Sequence, residues 1–457
     1  MDVTEAASLV DERMSEACVR HDIPTVSYGL ILGGELVHIG ALGDLEPGTA
    51  AATPFRIASM TKSFTAASVL QLRDAGVLSL DTPLREVLPW ADAIGLPASA
   101  PAMRISHLLT MTAGFPTDDP WGDRHESTSI ADFDALVAAG LTLCRPPGID
   151  FEYANIGYAL LGRVIAEATG SPYVDVVREQ ILEPLGMGST TFDARAAQGR
   201  MIGMHPSAAG LVEQAEGQPG AFSPMGGLWS TVTDLATWVS WLDEANAGRD
   251  SGTGALRASS RREMQTMNTY LGASTLDGVA APSGYGFGLL VRDDATLGLV
   301  AGHSGGLPGY GSNMRWKKGS GVGVIGLANV TYAPMTVFTH RALSALHDAG
   351  LVPGPSIQLA PELHQRCESL VALLNSWNDD AARALFADNV VLDDAFERRA
   401  DEAARQLAGG RMEVTAIRPV NRTSGFIDVA AGSRRAVIEI ALSPLGGLVQ
   451  EYSWKDL

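Results

Sequence analysis

The clearest chemical spacing in this sequence is a serine followed three residues later by a lysine, Ser59 and Lys62. The apolar periodicity of 63–75 predicts that the pair opens a helix. One helical turn places the amine beside the hydroxyl, and a helix N-terminus favours the negative charge that develops during nucleophilic attack. Only four of the 33 basic residues are lysines, and a buried lysine, unlike an arginine, can act as a base. The alternative is a capped helix with a solvated lysine.

A second polar pair, Tyr153 and Asn155, comes directly before a helical pattern over 156–168. A turn rich in proline and glycine precedes the pair, so both side chains are placed to project into a cleft. The alternative is that Asn155 only caps the helix while Tyr153 packs.

A third motif runs from His303 to Gly306 and ends a predicted strand that begins at Leu297. Glycines at a strand end allow a substrate to approach the backbone closely and expose N–H groups to an anion. The alternative is a glycine-rich turn with a solvated histidine. The other histidines are scattered without metal-ligand spacing, so we expect neither a metal nor another cofactor.

The elements that must position these motifs form an α+β pattern. A terminal helix and a hairpin come first, a helical middle follows, and short glycine-bounded strands close the region. This order predicts one antiparallel sheet completed by both ends of the region, with a helical subdomain inserted. Besides the two helices above, the predicted elements are a hairpin over 26–39, strands at 285–291, 297–301, 310–316 and 321–328, and a helix at 334–347.

A proline- and glycine-rich linker over 351–355 separates this first domain, 1–350, from a second domain, 356–457. The second domain shows helical patterns followed by period-2 strands, which predicts a small α+β fold that loosely resembles cystatin-like or NTF2-like domains. Fold analogy alone assigns no function. We expect it to shape the mouth of a cleft or to form a homodimer.

Composition narrows the function classes. Hydrophobic residues make up 46% of the 457 residues, enough for a sizeable core, and the net charge of −19 argues against binding nucleic acid or anionic lipid. No apolar stretch approaches the roughly 20 residues that span a bilayer. Three scattered cysteines do not form a disulfide framework, and the acidic N-terminus lacks the pattern of a secretory signal. We therefore expect a cytoplasmic protein.

Taken in order, Ser-x-x-Lys, Tyr-x-Asn and His-x-Gly resemble the motifs of the penicillin-recognising serine hydrolases. The resemblance covers roughly residues 4–350 and points to the branch with class C β-lactamases, D-alanyl-D-alanine carboxypeptidases, D-aminopeptidases and β-lactamase-like esterases. It implies the β-lactamase/transpeptidase-like fold. Connecting segments that strengthen it are 55–62, 105–114, 153–158, 183–187 and 226–230.

This resemblance implies a two-step acyl transfer. Ser59 attacks a carbonyl, while neutral Lys62 and the Tyr153 oxygen share the proton transfers. Asn155 orients the lysine and the acyl group. The backbone N–H groups of Ser59 and Gly306 are expected to form the oxyanion hole. Water then releases the acyl-enzyme, whereas a bound amine would make the protein a transferase.

The sequence departs from the family at His303. β-Lactamases and carboxypeptidases usually carry a Lys-Thr-Gly motif here, and His303 replaces its lysine whereas Gly305 matches its glycine. An imidazole with a pKa near 6.5 is mostly neutral at pH 7 and becomes charged near pH 5.5. Its neutrality disfavours substrates that carry a carboxylate. The acidic loop 118–123 offers a contact for an amine, although the solvated loop is the more frequent arrangement.

These features predict a serine hydrolase that acts on an ester or amide of a small molecule or peptide, as esterases and D-aminopeptidases do. One alternative is a thioesterase that cyclises or releases a nonribosomal peptide. Others are a true β-lactamase, a D-Ala-D-Ala carboxypeptidase, or a binding protein with an inactive hydrolase fold. The retained Ser59, Lys62 and Tyr153 argue against the last.

Overall fold

The computed structural model describes residues 2–45, 47–95, 100–352, 359–407 and 410–455. The chain divides into two compact units, residues 1–354 and 355–457. Part of the predicted linker, 353–355, lies outside the described residues. None of the described helices is both long and apolar enough to cross a membrane.

The first unit is built on an eight-stranded antiparallel sheet. Its strands in chain order are β1 (Thr25–Leu32), β2 (Glu35–Gly43), β3 (Thr269–Leu276), β4 (Val279–Tyr285), β5 (Leu290–Asp294), β6 (Gly298–Leu307), β7 (Tyr310–Lys317) and β8 (Val322–Ala328). The spatial order is β2-β1-β8-β7-β6-β5-β4-β3. The N-terminal hairpin therefore pairs with the last strand, with Val26 opposite Ala328, and the predicted sheet completed from both ends is confirmed.

Helices cover both faces of this sheet. The long helices are α1 (Val3–His21), α2 (Thr61–Asp74), α3 (Asn155–Thr169), α4 (Val232–Glu244) and α5 (Met335–Asp348). Strand β8 shows how the faces divide: Val324 joins the cluster packed by α1 and α5, whereas Ile325 joins the cluster packed by α4 and the helical subdomain. Alternating side chains thus belong to two separate cores.

The helical subdomain lies between β2 and β3 in the chain and contains α2 and α3. Shorter helices and turns of the first unit are Pro47–Ala50, Ala58–Met60, Leu84–Val87, Pro89–Ala93, Ile105–Leu109, Asp119–Gly122, Ile130–Ala138, Tyr173–Val177, Arg178–Leu182, Ser223–Gly226 and Ala258–Met264. Two small ribbons pair Phe55–Arg56 with Trp229–Ser230 and Met204–Ser207 with Gly210–Glu213. The first ribbon fixes the chain immediately before Ser59.

One strand prediction is wrong in a way that affects the site. The predicted strand 285–291 contains the turn that joins β4 to β5, where Gly288 adopts a φ of +68° and lies against the backbone of Lys62. The His303 to Gly306 motif lies at the end of β6, which stops at Leu307, and Gly306 pairs with Gly311 of β7. Strand β3 and most of β4 went unpredicted, because their residues carry no clear period-2 alternation of apolar side chains.

The second unit has the predicted order of helices followed by antiparallel strands. The helices are Pro361–Asn375, Asp379–Leu385, Asp388–Asp393 and Phe396–Gln406, and the strands are β9 (Glu413–Pro419), β10 (Ser424–Ala431), β11 (Arg434–Leu442) and β12 (Val449–Lys455). The strands pair in chain order. Residues such as Leu370, Phe386 and Ile438 form a core of its own. Its cystatin-like resemblance and its role stay predictions.

Candidate active site

Ser59 lies in a tight turn, Ala58–Met60, that leads directly into α2. Ala58 adopts a φ of +49°, a left-handed conformation that costs a residue with a β-carbon about 1–2 kcal/mol. Such strain persists only where the surroundings impose it, and it commonly marks functional residues. Ser59 itself is 9% exposed.

Lys62 is completely buried behind Ser59. Its Nζ lies 2.9 Å from Ser59 Oγ, 2.7 Å from Asn155 Oδ1 and 2.8 Å from the carbonyl oxygen of Met225. A protonated lysine has three hydrogens to donate, and three acceptors surround it. When the amine is neutral, its lone pair is available to accept the Ser59 proton. The expected serine–lysine contact is therefore present, and the solvated-lysine alternative is wrong.

Burial lowers the pKa of Lys62 to about 8, while the carboxylates of Asp119, Asp123 and Asp118 oppose this shift. The desolvation of the ammonium is thus the larger effect. With a pKa of about 8, roughly a tenth of the lysines are neutral at pH 7 and most are neutral above pH 9. The amine can therefore serve as a base without another group to deprotonate it.

Tyr153 brings a phenol to the same serine. Its ring centroid is 4.9 Å from Lys62 Nζ, and its hydroxyl forms a hydrogen bond with Ser59. Burial raises the pKa of the Tyr153 hydroxyl well above its usual value, and the charge of Asp119 adds to this effect. The tyrosine therefore stays a neutral phenol at physiological pH, which suits it to donate a proton rather than to remove one.

Asn155 does not cap α3; it is the first residue of the helix. The cap comes from the carboxylate of Asp118, which accepts hydrogen bonds from the N–H groups of Asn155 (2.6 Å) and Ile156 (2.9 Å). The Asn155 side chain is free to bridge two charges: its Oδ1 accepts from Lys62, and its Nδ2 donates to Asp119 Oδ1 at 2.7 Å. Because Asp118 caps the helix, the Asn155 side chain is available to contact Lys62 and Asp119.

The acidic loop 118–123 folds into the site, so the solvated arrangement is wrong. Asp123 is 9% exposed and accepts a hydrogen bond from the Tyr332 hydroxyl at 2.9 Å. Burial raises the pKa of Asp123 to about 7. The carboxylates of Asp118 and Asp119, and that of Asp123 when it is ionised, add negative charge around Lys62.

His303 is buried in β6, 2% exposed, with its ring 6.3 Å from that of Tyr153. Its Nδ1 donates to the carbonyl oxygen of Ser304 at 2.6 Å, which leaves Nε2 to accept from the Tyr285 hydroxyl at 3.3 Å. Burial and, to a lesser degree, Lys62 lower the pKa of His303 to about 3. The imidazole is therefore neutral, and the expectation that it becomes charged near pH 5.5 is wrong because burial disfavours the imidazolium form.

The two glycines of the third motif face in different directions. A β-carbon on Gly305 would lie 2.2 Å from the carbonyl oxygen of Ile57, so its absence lets β6 touch the segment that carries Ser59. A β-carbon on Gly306 would lie 2.7 Å from the Tyr332 ring. Gly305 thus positions the serine, and the role of the Gly306 N–H stays a prediction.

Several residues that contribute to the candidate site have no distinctive sequence pattern. Met225 acts through its backbone carbonyl, which any residue could supply, although it directly precedes the 226–230 segment that supports the family resemblance. Tyr285 and Tyr332 are remote in sequence from the three motifs. Among the described residues, no cluster of His, Cys, Asp and Glu is arranged to hold a metal ion.

Comparisons with known proteins identify relatives of this chain. A family model described as beta-lactamase matches residues 6–349. Penicillin-binding protein 4 of Amycolatopsis lactamdurans is 31% identical over 327 residues, 68% of this chain and 82% of the relative. Among solved structures, the octameric penicillin-binding protein homologue from Pyrococcus abyssi has a TM-score of 0.63 at 22% identity, covering 99% of this chain and 90% of that one. A D-stereospecific amidohydrolase from Streptomyces sp. has a TM-score of 0.59 at 22% identity, covering 75% and 99%.

The lowered pKa of Lys62 predicts the pH dependence of turnover. Because only the neutral amine can accept the Ser59 proton, kcat/KM for an uncharged ester should rise through a midpoint near pH 8 and level off above it. Asp119→Asn removes a charge that raises this pKa, so the midpoint should move to lower pH. Asp92→Asn, an exposed carboxylate, serves as the control. A profile that is flat between pH 6 and 9 would contradict the assignment of Lys62 as the base.

The close approach of β6 predicts a sensitivity at Gly305. In Gly305→Ala the new methyl group overlaps the Ile57 carbonyl, so the Ser59 segment must shift and the free energy of unfolding should fall by about 1–3 kcal/mol. A displacement of about 1 Å can lower kcat/KM on the order of 100-fold. Gly188→Ala, where the methyl group meets open space, should change neither quantity. Wild-type kcat/KM in a folded Gly305→Ala protein would show that this contact does not position the serine.

Proposed function

The chain belongs to the beta-lactamase family, a family of serine hydrolases, and from this premise we propose that it hydrolyses an ester or amide with a neutral or amine-bearing acyl group through an acyl-enzyme. The observation that carries the proposal is the 2.9 Å contact between Ser59 Oγ and the Nζ of a fully buried Lys62. A hydroxyl becomes a nucleophile at neutral pH when a base lies within hydrogen-bond reach.

In the first half-reaction, Ser59 Oγ forms a bond to the carbonyl carbon while its proton passes to the neutral amine of Lys62. The developing oxyanion is held by the backbone N–H groups of Ser59 and Gly306. Ser59 lies in the first turn of a helical segment, where N–H groups lack intrahelical acceptors. The Tyr153 phenol, hydrogen-bonded to Ser59, donates a proton to the leaving group and recovers one from Lys62.

In the second half-reaction, water attacks the acyl-enzyme. The same groups act in reverse: the Tyr153 phenol passes its proton to the neutral amine of Lys62 as it accepts one from the water, and Lys62 returns a proton to Ser59 Oγ as the acyl bond breaks. Asn155 keeps the lysine in place throughout, because its amide bridges Lys62 and Asp119 whichever protonation state the amine adopts. The products are a carboxylic acid and an alcohol or amine.

Electrostatics supports neutral or cationic substrates. The residue that would hold a substrate carboxylate is His303, and its imidazole is neutral and already hydrogen-bonded at both nitrogens. Asp118, Asp119 and Asp123 add negative charge around Lys62. A substrate carboxylate would meet repulsion here, whereas an ammonium group would be attracted. The likeness to a D-stereospecific amidohydrolase agrees with an amine-bearing acyl group without naming the substrate.

Two roles stay secondary to this proposal. A carboxypeptidase or β-lactamase activity has the support of relatives named penicillin-binding protein and D-alanyl-D-alanine-carboxypeptidase/endopeptidase, and it needs a cation for the substrate carboxylate. For a thioesterase that cyclises peptides, the same acyl-enzyme would be intercepted by an amine instead of water. The second unit keeps its proposed roles in shaping the cleft or forming a homodimer.

A substrate panel tests the proposal. We expect D-alanine p-nitroanilide and neutral p-nitrophenyl esters to be hydrolysed with far higher kcat/KM than nitrocefin, which carries a carboxylate. Acetylating the amine of the anilide should lower its kcat/KM, because the attraction to the acidic residues is lost.

His303→Lys supplies the missing cation and should raise kcat/KM for nitrocefin relative to a neutral ester by roughly 10- to 100-fold, the strength of one charge-assisted hydrogen bond. His303→Gln, which stays neutral, should leave this ratio unchanged and is the matched control. Efficient nitrocefin hydrolysis by the wild-type protein would reject the proposed substrate class and favour a β-lactamase.

A further inference from the structure

Arg315 in β7 is a buried cation without a partner. It is 9% exposed, and its Nε has no hydrogen-bond acceptor. Within the part of the chain that the structure describes, its guanidinium makes neither a hydrogen bond nor an ion pair. Burial lowers the pKa of Arg315 only to about 10, so the group is charged at neutral pH. Buried arginines are normally paired, because a desolvated charge without a partner destabilises the fold.

The guanidinium lies at a cavity of about 230 Å³ on the face of the sheet opposite Ser59. Strand alternation places Asn313 and Arg315 on this face, whereas Met314 and Trp316 point into the core beneath α4. Thr336, in the first turn of α5, also lines the cavity. Hydroxyl and amide groups of Ser274, Ser304, Asn313 and Thr336 line one part, and Leu276, Leu290 and Val300 line another.

Neighbouring charges leave the cavity positive. Arg292 is already satisfied by the carbonyl oxygens of Ser274 (2.8 Å) and Val279 (2.6 Å) and by Asp294 (3.4 Å). Asp294 also accepts from the N–H groups of Thr296 and Leu297. His340 has an unpartnered Nδ1 facing the same region, and burial lowers its pKa to about 4, so it stays neutral. The charges of Arg292 and Asp294 cancel, and that of Arg315 remains.

We propose that this cavity binds a short-chain aliphatic carboxylate, with Arg315 holding the carboxylate and the leucine and valine walls holding the chain. The planar guanidinium presents paired N–H groups that match the two oxygens of a carboxylate. An apolar cavity of about 150 Å³ is large enough for benzene, so the volume here accommodates an aliphatic chain of a few carbons. The inference does not depend on the proposed hydrolase function, since Ser59 lies across the sheet.

Thermal unfolding of the full-length protein tests the site. Sodium butanoate at 50 mM should raise the Tm of the wild-type protein above that in sodium chloride at equal ionic strength, because a ligand that binds only the folded state stabilises it. Arg315→Met should abolish this increase, whereas Arg341→Met, which removes an arginine of α5 paired with Asp277, should retain it. Inorganic phosphate, which lacks an apolar chain, should give a smaller increase than butanoate.

Methyl NMR of the wild-type protein provides a readout that does not depend on a variant folding. Butanoate should shift the methyl signals of Leu276, Leu290 and Val300 in a saturable manner, and leave methyl groups beside Ser59 unmoved. The proposal is overturned if these three signals do not respond, if Arg315→Met keeps the full increase in Tm, or if phosphate matches butanoate, which would indicate an anion site without an apolar pocket.

Discussion

The burial of one ammonium group organises the first unit. Three segments of the chain surround the Lys62 ammonium: the Ala58–Met60 turn, the start of α3 and the Ser223–Gly226 turn. Each segment contributes one hydrogen-bond acceptor. Desolvation lowers the pKa of Lys62, and nearby carboxylates limit that shift. The result is an amine that is poised for proton transfer near neutral pH.

The surrounding charges distinguish this site from one built to hold an anion. Three aspartates stand near Lys62, and the position where a substrate carboxylate would be held carries a neutral imidazole. The Asp118 carboxylate accepts hydrogen bonds from the N-terminus of α3. The carboxylate of Asp119 accepts one from Asn155, and that of Asp123 accepts one from the Tyr332 hydroxyl. These contacts fix the acidic groups in place, so in the proposed reaction their field would act on a substrate without further reorganisation.

Sequence predicted local patterns better than the contacts between distant segments. The Ser59 and Lys62 pair, the hairpin and the helices follow from spacing within one element, and the structure bears them out. The capping of α3 by Asp118 joins residues 37 positions apart, and the contact between Asp123 of the acidic loop and Tyr332 spans 209 positions, so no local pattern revealed either. The low pKa of His303 and the unpartnered Arg315 arise from burial in a sheet whose register the sequence does not display.

We propose Ser59 as the nucleophile and Lys62 as its base. Reaction with a fluorophosphonate, followed by peptide mapping by mass spectrometry, tests it directly. We predict a single adduct on the peptide that contains Ser59 and labelling slowed on the order of 100-fold in Lys62→Met, since removing a general base typically has an effect of at least this size. An adduct on another residue, or undiminished labelling of Ser59→Ala, would contradict the account.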